Sequence, residues 1–600
     1  MKHLGISGRL TRATIRSPMT PLFLIAALIL GVMALITIPR EEEPQISVSM
    51  VDIQVRADGL RASDAAELVT KPLEEIIKSI DGVEHIYSQT ADDQVMITAR
   101  FLVGISADNA ILRVHEKIRA NYDRIPIDIP EPLISGRGIN DVAIVVLNLS
   151  PTPAAASRWS EADLYRLADE LQSQLVKVDN IGLTYMIGAS PNSIRVEPDP
   201  EKLALYGITL QQLVQKIKGA NRSFDAGLLY QQGQSLKAIA GQTLAGIPDI
   251  SLLLLTSRDG RGVYVRDVAK VIIGPALSDH RVTLMRRDQD NSWNSLPSVN
   301  LAIAKRPGSN AVSVAEDILQ RLETLKGSLI PEGIEVNVTR NYGETANEKA
   351  NELLFHLFLA TVSIVILIGF AIGWREAGVT LVIIPLTILL TLFAANMMGY
   401  TINRVSLFAL IFSIGILVDD AIVMIENIAR HWYMKDGRSR MQAAIEAVAE
   451  VGNPTVVATL AVIAALLPML FISGLMGPYM APIPVNASAA MLFSFFVAVV
   501  VAPWLLLKVS PKDTTKISHE EAEGKLGKIY RKMAEPIIRT RKRAMIFLLS
   551  ITALTLLSFI LFATRSVTVK LLPFDNKSEL QIVLDLVEGA SLEDTERTLL

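Results

Sequence analysis

The stretch "SIGILVDDAIVMIEN", Ser413 to Asn427, sets Asp419 beside Asp420 inside a run of Ile, Leu, Val and Ala. The apolar run extends over Val405 to Ile425, close to the roughly 20 residues that one bilayer crossing needs. An ionised carboxylate at mid-span costs roughly 2.5 to 3.5 kcal/mol on insertion scales, and such groups are functional by default. A helix that keeps two of them therefore points to proton or ion chemistry. The competing reading is a polar packing contact.

On a helix Asp420 shares a face with Ser413 and Ser406 at steps of seven and with Ala409 at eleven, so that side is small and polar. Helices associate in lipid through such faces, and Asp420 is expected to point into a bundle. Asp419 lies about 100° round the helix, above Gly415, and the two carboxylates are expected to reach one interhelical site. Adjacent carboxylates withdrawn from water disfavour each other's charge, so the pair should take up a proton readily near neutral pH; a nearby cation would reverse this. Glu426, seven residues beyond Asp419, is a possible accessory at the cytoplasmic end, where a solvated role competes.

Half of the 600 residues are hydrophobic and 20% are charged, a composition unusual for a soluble chain of several domains. Seven apolar runs are long enough to cross a membrane: Met19 to Ile38, Leu353 to Gly373, Ala377 to Met398, Val405 to Ile425, Val456 to Ile472, Pro484 to Leu507, and Ala544 to Ala563. Lys2, Arg9, Arg12 and Arg16 precede the first, which places the N-terminus in the cytoplasm by the positive-inside rule. Arg430, Lys435, Arg438 and Arg440 follow the fourth, and Lys508 to Arg543 holds eleven Lys and Arg, whereas "SGLMGPYMAPIP" holds none. The first run is long and ends in no A-x-A site, so it reads as an anchor and not as a signal peptide.

This topology exports residues 40 to 350. Within them "ISVSMVDIQV" alternates like a strand, "RASDAAELVTKPLEEIIKSI" reads as an amphipathic helix, and "VEHIYSQT" and "QVMITARFLV" as strands, followed by a helix from Ser106 to Arg124. That order is a ferredoxin-like split βαβ unit. "IPIDIPEP" reads as a linker. A second such unit begins at "DVAIVVLNLS", runs through a helix at Glu161 to Val178 and strands at "IGLTYMIGA" and "NSIRVEP", and resumes at "SVNLAIAKRP", with residues 221–297 inserted into it. The expected fold class is thus a membrane α-helical bundle with inserted α+β, ferredoxin-like exported subdomains. Its divisions are 1–39, first membrane helix; 40–130, first subdomain; 131–220 and 298–350, second subdomain; 221–297, insertion; 351–508, membrane helices two to six; 509–543, a cytoplasmic amphipathic linker; 544–564, the seventh helix; and 565–600, the start of a second exported domain.

"EGASLEDTERTLL", from Glu588, resembles "DGLRASDAAELVT", from Asp58, at an offset of 530, and each follows a span, a Pro and a strand. This suggests a duplicated membrane unit. A second copy as long as the first would need about 440 further residues, so the chain is expected to be the N-terminal portion of a protein of roughly 1,040 residues.

"ILVDDAIVMIENIARH", "LVTKPLEEIIKSIDGV", "DPEKLALYGITLQQLVQKIKGAN" and "LLPMLFISGLMG" together resemble the resistance-nodulation-division (RND) efflux pumps of the acriflavine-resistance, hydrophobe/amphiphile type. The resemblance runs in order along essentially the whole chain. It implies a trimeric, proton-driven antiporter of the Gram-negative inner membrane, with periplasmic porter and docking subdomains. A periplasmic adaptor (membrane fusion) protein and an outer-membrane channel are the implied partners. Asp419 and Asp420 take the place of the family's proton-relay pair, whose intramembrane lysine partner comes from the second half. The double Asp resembles the drug-pump branch; the heavy-metal branch typically carries one. Ile187 stands before Gly188 where that branch often has Phe, and aromatics are sparse in the exported part.

Net charge is −3 and no zinc spacing or basic-aromatic stripe occurs, so no nucleic-acid partner is expected. The absence of cysteine excludes disulfides and thiol catalysis. No enzymatic residues, cofactor or metal site are expected, and no G-x-x-x-x-G-K-[ST] loop cradles a nucleotide. "EGKLGKIYRK" reads as a basic amphipathic helix on the membrane surface. "HEKIR" and "HEEAE" lack a second His and read as surface helix. "PREEEP" reads as a solvated collar at the external interface. Pro385, Pro468 and Pro503 interrupt spans as candidate kinks. Met50, Met96 and Met186 form no evident soft-metal cluster. The alternatives are a heavy-metal or lipid exporter of the same superfamily and, in another class, a non-transporting receptor or scaffold.

Overall fold

The computed structural model describes residues 4–600 apart from 45–48, 127–128, 139–140, 259, 277, 279, 288–290, 435–436, 475, 511–524, 569–578 and 588. Contacts divide the chain into two compact units, Met1–Val509 and Ser510–Leu600. The first opens with α1 (Gly5–Thr14) and α2 (Met19–Thr37). Helix α2 is apolar on nearly every side, as a helix bordered by lipid or by other apolar helices must be.

Two sheets built on one plan follow. The first takes β1 (Met50–Arg56), β2 (Val83–Ala91), β3 (Gln94–Phe101) and β4 (Leu133–Arg137) in the order β2-β3-β1-β4, all antiparallel. Between β1 and β2 run α3 (Ala62–Ala65), a π-helical turn (Ala66–Thr70) and α4 (Lys71–Lys78), and α5 (Ala107–Ala120) follows β3. The widened turn lies just before Pro72, whose ring and missing N–H a regular helix tolerates poorly. Strand alternation sends Val51, Ile53 and Val55 onto Leu73, Ile77 and Val114.

The second sheet uses β5 (Ala143–Pro151) and, beyond α6 (Glu161–Leu175), β6 (Ile181–Ile187). An inserted body follows: β7 (Asn192–Pro198), α7 (Pro200–Tyr206), α8 (Leu210–Ala220), β8 (Arg222–Gln231), β9 (Gln234–Gln242), α9 (Ile247–Ser251), β10 (Leu254–Arg258), β11 (Arg261–Tyr264), α10 (Val265–Val268) and β12 (Ala269–Pro275). After the hairpin β13 (Thr283–Arg287) and β14 (Trp293–Pro297), the sheet resumes with β15 (Val299–Lys305), α11 (Ala311–Leu325) and β16 (Ile334–Asn341), in the order β16-β5-β15-β6. Val145, Leu147 and Leu149 pack on Leu164, Leu171 and Ile318.

Three boundaries differ from the sequence reading. Strand β4 pairs with β1 from Met50↔Arg137 to Gln54↔Leu133, so residues 133–137 belong to the first sheet and not to the 131–220 segment. "NSIRVEP" is β7, which pairs with β12 and not with the second sheet. The inserted body therefore begins near 192 instead of 221, around a core of Leu203, Leu213, Ile250 and Val265. Periodicity shows that a segment is a strand but not which strand it pairs with. Finally, α12 (Tyr342–Ala371) starts directly after β16, capped by Asn341, so "YGETANEKANE" is helix and not sheet domain.

The membrane helices of this unit continue with α13 (Trp374–Met397), α14 (Arg404–Tyr433), α15 (Arg440–Leu466), α16 (Met476–Met480) and α17 (Pro482–Val509). Pro385 and Pro503 lie inside α13 and α17, while Pro468 sits in the 3₁₀ turn Leu467–Phe471 that closes α15. Gly31 of α2 meets Leu389 of α13, and Gly452 of α15 meets Ser7 of α1, so these crossings are closed at small residues.

The second unit holds α18 (Lys525–Ile538), α19 (Arg541–Ala563) and α20 (Leu592–Leu599). Among the described residues seven helices are long and apolar enough to cross a membrane, α19 being the last. Arg61 before α3 (φ −71°, ψ 155°) and Ser591 before α20 (φ −73°, ψ 160°) adopt the same extended cap conformation. They stand at the offset that relates the repeated segments.

Candidate functional site

Asp419 and Asp420 occupy the middle of α14. The helix packs chiefly through Ala409, Ser413, Leu417, Val418, Ala421 and Met424, all buried. Its N-terminus is fixed by Asn403, whose Oδ1 accepts from the N–H groups of Val405 (3.0 Å) and Ser406 (2.9 Å). At its other end Asn427 donates to Ala447 O (2.8 Å), the Trp432 indole donates to Arg440 O (2.9 Å), and the Arg440 guanidinium lies 4.2 Å from the Trp432 ring centroid. Helix α15 is thereby clamped to α14 below the acid pair.

The two carboxylates face different surroundings. Asp420 is half-buried at the seam with α17, beside the Ser494 hydroxyl. Ser494 Oγ is itself fully buried and donates to Leu417 O at 2.6 Å. One hydroxyl carries one proton. A neutral Asp420 can donate to Ser494 Oγ while Ser494 keeps its bond to Leu417, whereas an ionised Asp420 competes with Leu417 for that proton. The seam thus admits a second hydrogen-bond pattern beside the observed Ser494–Leu417 bond, one that the charge of Asp420 would select.

Asp419 lies outside that seam. Phe412, Gly415, Asp419, Val423, Glu426 and Arg430 form one exposed stripe of α14, and a Cβ on Gly415 would meet nothing within 4 Å. The expectation of a single interhelical site for both acids is therefore corrected within this chain: the 100° step carries Asp419 away from α17. Glu426 sits on the same stripe as Asp419.

The profile of the AcrB/AcrD/AcrF family matches residues 10–600. The chain belongs to this family. It is accordingly an RND-type transporter, and its apolar helices and small sheets fit that architecture.

Of the other sequence candidates in this family member, His115 and Glu116 are exposed on α5, and "HEEAE" falls outside the described residues. Among the described residues no group of three or more His, Asp or Glu is arranged to hold a metal ion. Ile187 is 39% exposed on β6, and Gly188 beside it has φ +115° with Ser298 O 2.9 Å from where a Cβ would stand, which reserves that position for glycine. The solvated-collar reading of "PREEEP" is corrected. Glu41 is only 4% exposed, its carboxylate pairs with Lys305, and Glu43 pairs with Arg404 at 2.6 Å. Sequence reasoning missed Ser494 as well. The available signal was a lone hydroxyl in the "MLFSFFVAVVV" run, where a polar side chain in a span calls for a partner.

Proposed function

We propose that this chain is the inner-membrane, proton-driven component of an efflux pump for hydrophobic or amphiphilic compounds such as drugs, dyes and detergents. The observation that carries the reading is the acid pair at the middle of α14, one member half-buried beside Ser494 at a helix seam and the other on an uncovered stripe. A carboxylate at that depth cannot be left to lipid at small cost. The stripe is therefore proposed to face further helices that bring the cation implied by the resemblance. Protonation of the pair weakens that attraction and lets α14 shift against its neighbours. One charge crossing 100 mV supplies about 2.3 kcal/mol toward such a shift.

The two sheets are proposed as periplasmic, ferredoxin-like porter subdomains and the 192–275 body as the docking element. A trimer is supported by the β8–β9 ribbon, which leaves Phe224, Leu229, Tyr230 and Ile239 exposed. A two-stranded hairpin is marginal alone in water, and a neighbouring copy would cover it. A periplasmic adaptor and an outer-membrane channel are the proposed partners, a reading that family membership supports.

The test replaces Asp419 and Asp420 separately by Asn and follows dye efflux from cells at matched expression. Each variant should lose roughly a hundredfold or more in rate, and a protonophore should abolish wild-type efflux. Normal export by either variant, or efflux that survives the protonophore, would overturn the proposal.

A further inference from the structure

The Glu41–Lys305 pair is the most deeply buried ion pair among the described residues, with side chains 3% and 8% exposed and Nζ 2.6 Å from Oε1. A buried pair of this kind is weak evidence for stability, because desolvation offsets much of the attraction and an apolar replacement is often neutral. Its connections point to another use. Glu41 Oε2 accepts from Thr401 Oγ1 at 3.0 Å. Thr401 Oγ1 in turn accepts from Asn403 Nδ2 at 3.0 Å, and Asn403 is the residue that caps α14. On the far side, Lys305 is the last residue of β15, which lies between β5 and β6.

The backbone runs the same way. Glu41 N donates to Ile402 O (2.9 Å) and Ile402 N donates to Pro39 O (2.8 Å), while Ala311 N, the first residue of α11, donates to Arg40 O (3.1 Å). Residues 39–41 are thus stitched on one side to the segment that starts α14 and on the other to the helix and strand of the second sheet.

We propose that Glu41 and Lys305 are positioning residues that transmit the movement of α14 to the second sheet. This rests on the proton-driven reading of the acid pair. In this scheme the Asn403 amide donates to the Thr401 hydroxyl, that hydroxyl's single proton goes to the Glu41 carboxylate, and the Lys305 ammonium donates to the same carboxylate. With Glu41, Lys305 and Asn403 each under a tenth exposed, a displacement of the α14 cap is carried through the carboxylate to β15.

The experiment compares the wild-type protein, E41Q and the apolar pair E41L/K305M, which guards against misfolding from a lone buried charge. Since the chain has no cysteine, single cysteines at the exposed positions Tyr433, at the end of α14, and Gln320 (α11) accept environment-sensitive labels, and membrane vesicles receive an acid jump. Wild type should respond at both labels. E41Q and E41L/K305M should respond at Tyr433 and not at Gln320, with the maximal transport rate down about tenfold or more and the KM for dye unchanged. The charge-swapped pair E41K/K305E should regain part of the rate. An α11 response and maximal rate equal to wild type in either uncoupled variant would overturn the inference while leaving proton-driven transport standing. Silence at Tyr433 in the wild type would remove the proton-driven reading, and this inference with it.

Discussion

Replacing Gly31 by Ala adds one methyl group where α2 crosses α13. A Cβ there would stand 3.0 Å from both Leu389 Cα and its carbonyl carbon, and closer still to Leu389 Cβ. Carbon atoms rest at about 3.5 to 4.0 Å, so the helices must part by roughly 1 Å along the seam. Because backbone atoms are among those struck, no rotamer change relieves the clash. Overpacking of this kind costs about 1 to 3 kcal/mol, partly offset by the roughly 1 kcal/mol that Ala gains over Gly in a helix. Gly378 of α13 is the control, since nothing lies within 4 Å of a Cβ built on it. Heating the purified protein in detergent and following the folded, monodisperse fraction should show Gly31→Ala losing structure several degrees early and Gly378→Ala unchanged or slightly stabilised. Leu389→Ala should not rescue Gly31→Ala, because the offending Cβ remains, whereas Leu389→Gly should rescue it in part. Equal stability of the two alanine variants would refute close approach at this crossing.

Ser494→Ala should shift the pH profile of efflux, since it removes the hydroxyl that bonds Leu417 O beside Asp420. Ser413→Ala, whose hydroxyl bonds back to Ala409 O at 2.6 Å within α14, should leave the profile in place; identical profiles for both would count against the seam. Substituting Tyr230 and Leu229 of the β8–β9 ribbon by Asp should dissociate the assembly in native mass spectrometry while the monomer stays folded, and an unchanged trimer would remove the ribbon from the interface. The Ser160–Asp163 capping box of α6 makes stability pH-dependent. The Ser160 hydroxyl first, and then Arg166, hold the Asp163 carboxyl below its ordinary value. A lowered folded-state value means the contribution is present above about pH 4 and is lost as pH falls through that lowered value. Asp163→Asn should therefore destabilise at neutral pH and converge on wild type in acid; a gap that persists in acid would show the carboxylate charge to be irrelevant.

Legibility followed the range of the interaction involved. The seven spans and the acid pair are written locally, in runs of about 20 apolar residues and in the cost of a charge among them. The helix caps at Ser106, Ser160 and Thr209 are local too, each accepting from the N–H three residues on. Pairing was not local: β7 read correctly as a strand and β4 was passed over, the partners of both lay beyond their own periodicity, and the subdomain boundaries moved with them. The same holds for "PREEEP", where three consecutive acids beside a single Arg40 read as solvated, while the cations that pair with Glu41 and Glu43 lie hundreds of residues on.

By itself, then, the sequence determined that seven segments are long and apolar enough to cross a membrane and that two carboxylates lie midway along one of them. Only the tertiary structure decided that Asp420 meets a serine of α17 while Asp419 faces outward, and that Glu41 reaches a lysine 264 positions away. The physical reason is that solvation preference is a property of each residue and its neighbours on one helix, whereas the partner that satisfies a buried polar group is chosen by how distant segments pack.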